Sequence, residues 1–62
     1  MPAYDVELSI STTYNGRRIY GTMSIEITAD DERHAQSDAL AAAAILLDIK
    51  SDASVNGSHL VP

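Results

Sequence analysis

The sequence predicts an α+β fold: an antiparallel β-hairpin followed by one long α-helix, completed by oligomerisation. Three observations carry that reading. Two stretches alternate apolar and polar residues with period two. Asn15-Gly16, the pair that favours a two-residue type I′ turn, stands between them. From Thr28 onward the pattern changes to a capped run of good helix formers rich in alanine.

The first strand covers Tyr4 to Ile10, with Tyr4, Val6, Leu8 and Ile10 on one face and Asp5, Glu7, Ser9 and Ser11 on the other. The second covers Ile19 to Ile27, and its apolar positions are odd: Ile19, Gly21, Met23, Ile25 and Ile27. Opposed residues of an antiparallel pair share a face. Even and odd apolar sets therefore meet only across a loop with an even number of residues, and Asn15-Gly16 supplies one. The expected register is Tyr14–Arg17, Thr12–Ile19, Ile10–Gly21, Leu8–Met23, Val6–Ile25 and Tyr4–Ile27.

The helix is expected from about Ala29 to Lys50. Thr28 or Asp30 would cap it, Asp31 would stand three residues after Thr28 as in a capping box, and the acids favour the positive end of the helix dipole. At ~1.5 Å per residue such a helix is about 33 Å long, enough to cover the hairpin end to end. It also carries more apolar surface than one hairpin needs. Ala35, Ala39, Ala42, Leu46 and Ile49 form one stripe, and Leu40, Ala43, Ala44 and Leu47 a second. The first is the expected oligomer interface, since alanines let another backbone come close; the two unpaired edges of the hairpin are the other expected route to self-association, alone or together with the stripe. Residues 1–50 thus read as a single ββα domain, and 51–62 as a polar tail that is either a short third strand or disordered.

Size argues for the same partner. The chain has 62 residues, no cysteine, no Phe and no Trp, and nine of its hydrophobic residues are alanines. Natural domains below roughly 70–80 residues usually add a disulfide, a metal or another subunit. Disulfides are excluded, and two separated histidines give no structural zinc spacing. A homodimer or higher oligomer remains.

Candidate sites are few. The hairpin tip gathers Tyr14, Asn15, Arg17, Arg18 and Tyr20, residue types enriched at binding hot spots, and is the expected contact for an unidentified protein partner. Asp30, His34 and Asp38 lie one above another on the helix, a solvent-facing row too open to coordinate a metal. No catalytic set, cofactor motif or phosphate-binding loop is present. The net charge of −5 argues against direct binding to nucleic acid or anionic membrane. Nothing resembles a transmembrane span or a secretory signal, so a cytoplasmic location is the default expectation.

Met1-Pro2 resembles the start of the tautomerases that use an amino-terminal proline as base, which would make Pro2 a reactive amine once Met1 is removed. Their chains begin strand–helix–strand, whereas this one begins with a hairpin. The hairpin and Ala35-x-x-x-Ala39-Leu40 helix, over about residues 4 to 47, resemble the C-terminal half of a double-stranded-RNA-binding domain. That family places lysines at the helix start to hold phosphates. Here the stretch is Ala29-Asp30-Asp31-Glu32-Arg33-His34, of opposite sign, so the resemblance implies packing geometry and no RNA-binding residues. The functional expectation is a small acidic, non-catalytic interaction or inhibitor protein of the sort phages encode as accessory proteins. The alternatives are an acidic nucleic-acid mimic, whose carboxylates replace phosphates opposite Lys and Arg, and a proline-amine enzyme.

Overall fold

The elements follow the order β1 (Ala3–Tyr14), β2 (Arg17–Thr28), α1 (Glu32–Leu46) and β3 (Asp52–Leu60) in a computed structural model that describes residues 1–47 and 51–62. They form a three-stranded antiparallel sheet in the order β2-β1-β3, with α1 packed on one face. The fold is α+β, ββαβ.

The hairpin has the register that pattern and turn demand. Tyr14 opposes Arg17, Ile10 opposes Gly21, Leu8 opposes Met23 and Tyr4 opposes Ile27. Asn15 and Gly16 both have positive φ, 51° and 75°, as a type I′ turn requires.

The helix begins later than its acidic lead-in suggests. Thr28 still opposes Ala3, and the Ala29 amide donates to the Pro2 carbonyl at 3.1 Å, so the sheet ladder runs through the expected first turn. Asp31 is the cap instead, its side chain accepting from the His34 amide at 2.8 Å. At the other end α1 stops at Leu46, with Leu47 extended at the C-cap, short of the expected end at Lys50. Asp48, Ile49 and Lys50 lie outside the described residues. Fifteen residues make a helix of about 22 Å, against about 40 Å for each 12-residue hairpin strand. The helix therefore cannot cover the hairpin, contrary to the expected match in length.

The stripe expected to meet a second copy is also corrected. Ala35 and Ala39 are fully buried against the chain's own sheet, with Ala43 in line behind them, because only a side chain as short as alanine lets α1 settle on Val6 and Leu8. Ala42 is half-buried, Leu46 is 69% exposed, and Ile49 lies outside the described residues. The core is consequently thin. Val6, Leu8, Ala29, Ala35, Ala39 and Ala43 are buried, and of these only Val6 and Leu8 are large. Tyr4, Met23, Ile25, Ile27, Leu47, Ala53 and Val55 close over it from the sides.

Residues 52–60 are a strand, not a loose tail, and an integral one. β3 pairs antiparallel with β1 from Tyr4–Leu60 to Ser11–Asp52, with a register shift between Glu7 and Leu8. The shift leaves Asn56 between Val55, which opposes Leu8, and Gly57, which opposes Glu7. This is a β-bulge, and it explains how Ala53 and Val55 share the helix side with Ser58 despite opposite parity. Gln36 of α1 donates to the Ser58 hydroxyl at 2.7 Å on that side.

Candidate functional site

Helix and β3 both end near the level of Ser11, so β1 and β2 continue beyond them as a two-stranded arm. The Ser51 hydroxyl donates to Thr12 Oγ1 at 2.9 Å, close to where cover ends. From there to the turn nothing among the described residues lies over the arm's inner face. The molecule is correspondingly elongated, 42 Å along its longest axis against 17 and 13 Å across.

Strand alternation divides the expected tip site between two faces. Tyr14 and Arg17 oppose one another on the helix side, together with Ile19. Arg18 and Tyr20, opposing Thr13 and Ser11, belong to the other side. Tyr14, Asn15, Arg17, Arg18 and Ile19 border a shallow open depression at the turn. Tyr14 is 64% exposed, Tyr20 76% and Ile19 46%. The tip thus offers an aromatic, a cation and an isoleucine together on the inner face, whereas Tyr20 does not join them. Ile19 is the residue missed as a site member, and Thr12 was its signal. The apolar column of β1 ends at Ile10, so the sheet loses its core-facing pattern where the arm begins.

The outer face of the sheet is polar throughout. Arg18 donates from Nη2 to Ser11 Oγ at 2.7 Å and from Nη1 to Thr13 Oγ1 at 3.2 Å, and its Nη2 lies 3.2 Å from Asp52. Ser9 donates to Asn56 Oδ1 at 2.5 Å, while Asn56 Nδ2 reaches Glu7 at 3.5 Å. His59 Nε2 stands 3.7 Å from Asp5, and Asp5 directly opposes Glu26 on β2. Two carboxylates facing each other across a strand pair repel. Exposed pairs such as Arg18–Asp52 stabilise by at most about 1 kcal/mol.

The row of Asp30, His34 and Asp38 is not assembled as a unit. His34 turns to the cap, its Nδ1 2.9 Å from Asp31 Oδ1. The amide hydrogen bond from His34, then its side-chain hydrogen bond and charge, hold the Asp31 carboxyl below the usual aspartate range. No group of three or more His, Cys, Asp or Glu among the described residues is placed to hold a metal ion. Pro2, exposed, sits at the base of the hairpin, with its carbonyl engaged by Ala29. Arg17 and Arg18 stand at the opposite end of the hairpin from Pro2. No helix of the described residues is long and apolar enough to cross a membrane. No protein-family model matches the chain, and neither a curated protein nor a solved structure matches it significantly.

Proposed function

We propose that this is a small non-catalytic interaction protein that works as a self-associated body and meets a protein partner through its hairpin arm. One observation carries the reading: the helix covers only the base half of the hairpin. Ile19 and Tyr14 are left exposed on the inner face of the arm, above a core with two large buried side chains. A three-stranded sheet with so little under it gains most from a second surface, because burial of apolar area is the main stabilising term.

Self-association makes stability depend on concentration. The thermal midpoint is expected to rise with protein concentration, and sedimentation should show dimer or larger species at low micromolar concentration. A folded monomer across that range sinks the self-association. The partner contact has its own test. Tyr14→Ala and Arg17→Ala should keep the circular dichroism of the parent and lose the partner captured by it, at high salt as well as low. Capture that is unaffected by these changes but abolished by salt would instead favour the acidic-mimic reading, in which charge carries the binding.

A further inference from the structure

The sheet has two open edges, and they are not alike. β3 is blunted by the bulge at Asn56, a device that discourages a further strand from pairing. β2 has no such protection: its twelve residues pair without interruption along β1, and nothing among the described residues pairs with its other side. It contains no proline and no lysine. Residues flanking a two-residue hairpin turn bond to one another, so Arg17, Ile19, Gly21, Met23, Ile25 and Ile27 direct their backbone groups to β1. The bond from Ala29 to Pro2 continues that series. Arg18, Tyr20, Thr22, Ser24 and Glu26 therefore present free N–H and C=O groups along the open edge.

The charges of β2 lie at its ends, Arg17 and Arg18 at one and Glu26 at the other, and the acidic run Asp30, Asp31, Glu32 follows beyond Glu26. Antiparallel pairing with another β2 brings opposite signs together, whereas parallel pairing brings like signs together. We infer that β2 is the self-association edge, and that two copies pair antiparallel about a two-fold axis at Thr22. This rests on the self-association proposed above and names its surface.

Parity restricts the register. Apolar faces stay together only if odd residues oppose odd ones, so the axis must pass through a residue and its own copy. With Thr22 at the centre, Arg18 opposes Glu26 of the second copy, Tyr20 opposes Ser24, Ile19 opposes Ile25 and Gly21 opposes Met23. A centre at Met23 instead sets Arg18 against Thr28, and one at Gly21 sets Arg17 against Ile25. Only the Thr22 register neutralises Glu26, which its own chain places opposite Asp5. It also sets Met23 over Gly21, whose missing side chain leaves room: a Cβ there would meet only Ile10, at 3.7 Å. Arg18 reaches the second copy by leaving Ser11 and Asp52, exposed contacts of small worth. The ladder adds about ten main-chain hydrogen bonds. Both helices fall on one face of a six-stranded sheet, and each Ile19 gains an apolar neighbour.

Sedimentation equilibrium on the full chain tests this with charge reversal. Arg18→Glu and Glu26→Arg should each weaken the dimer about tenfold, since each change sets like charges opposite twice. The double variant should return to within about threefold of the parent, because the pairs are restored with sign exchanged. Thr22→Pro removes an N–H that faces the open edge and should give a monomer of unchanged circular dichroism. If that variant fails to fold, the charge exchange decides alone. A dimer indifferent to both single reversals, or a double variant no stronger than the singles, overturns the β2 edge and leaves self-association standing. A parent that stays a folded monomer across the low micromolar range overturns both.

Discussion

Single residues hold more of this structure than their size suggests. Among the described residues, Leu8 and Val6 are the only large side chains fully removed from water. Truncating a buried leucine to alanine costs about 2–5 kcal/mol. A chain of this length has total stability of about 3–9 kcal/mol at ordinary values per residue. Leu8→Ala should therefore remove a large share of the stability, read as a urea midpoint far below the parent's, whereas Leu40→Ala on the outer side of α1 should shift it little. Asp31 acts through its cap. Its carboxyl titrates lower in the folded chain than in the unfolded one, so its contribution is complete above the ordinary aspartate pKa of about 3.9. That contribution disappears as pH falls through the lower folded value. Asp31→Ala should lower the thermal midpoint near neutral pH, and the deficit should shrink in acid. Asp31→Asn keeps an accepting oxygen and should lose less. The sequence marked an acidic helix start without singling out this carboxylate, because whether Thr28, Asp30 or Asp31 caps depends on where the sheet ladder releases the chain.

Among the elements, the hairpin register was legible to the residue, although the strands run on to Tyr14 and start at Arg17, beyond the expected limits at Ile10 and Ile19. Parity and turn chemistry each demanded the same pairing, and neither needed tertiary information. Gly16 tests that logic. A side chain there would meet no atom within 4 Å, so the cost of Gly16→Ala is conformational, from φ of 75°. It should amount to about 1–2 kcal/mol, read as a shift of the urea midpoint without change of slope. The helix was legible in kind and not in extent. Leu46, Leu47 and Ile49 continue the apolar periodicity, and propensity has no means of knowing that the chain must turn back to begin β3 at Asp52. β3 itself was legible only in part. Its apolar residues change parity across Asn56-Gly57, which breaks a simple alternation and conceals the strand unless a bulge is allowed.

At the scale of the molecule, the need for a second surface followed from size and composition, but its location did not. One of its two expected places, the helix stripe, is closed at Ala35 and Ala39, which the sheet buries. The hairpin edges were the other expected route, and choosing β2 as the edge we propose required the order of the strands, since β1 is flanked on both sides and β3 carries the bulge. The split of the tip across two faces was implicit in the register, since Arg18 and Tyr20 never shared parity with the apolar set.

The position of β1 between β2 and β3 also has a consequence for how the chain folds. Its first pairing is local and closes across two residues, on the microsecond scale typical of hairpins. Its second spans almost the whole chain, Tyr4 with Leu60, and must wait for the helix to fold back. During that interval the odd-numbered residues of β1 offer an open template to any passing strand. β3 thus guards the nascent hairpin from inside its own chain, and the late arrival of the last residues sets the window in which misassembly competes with folding.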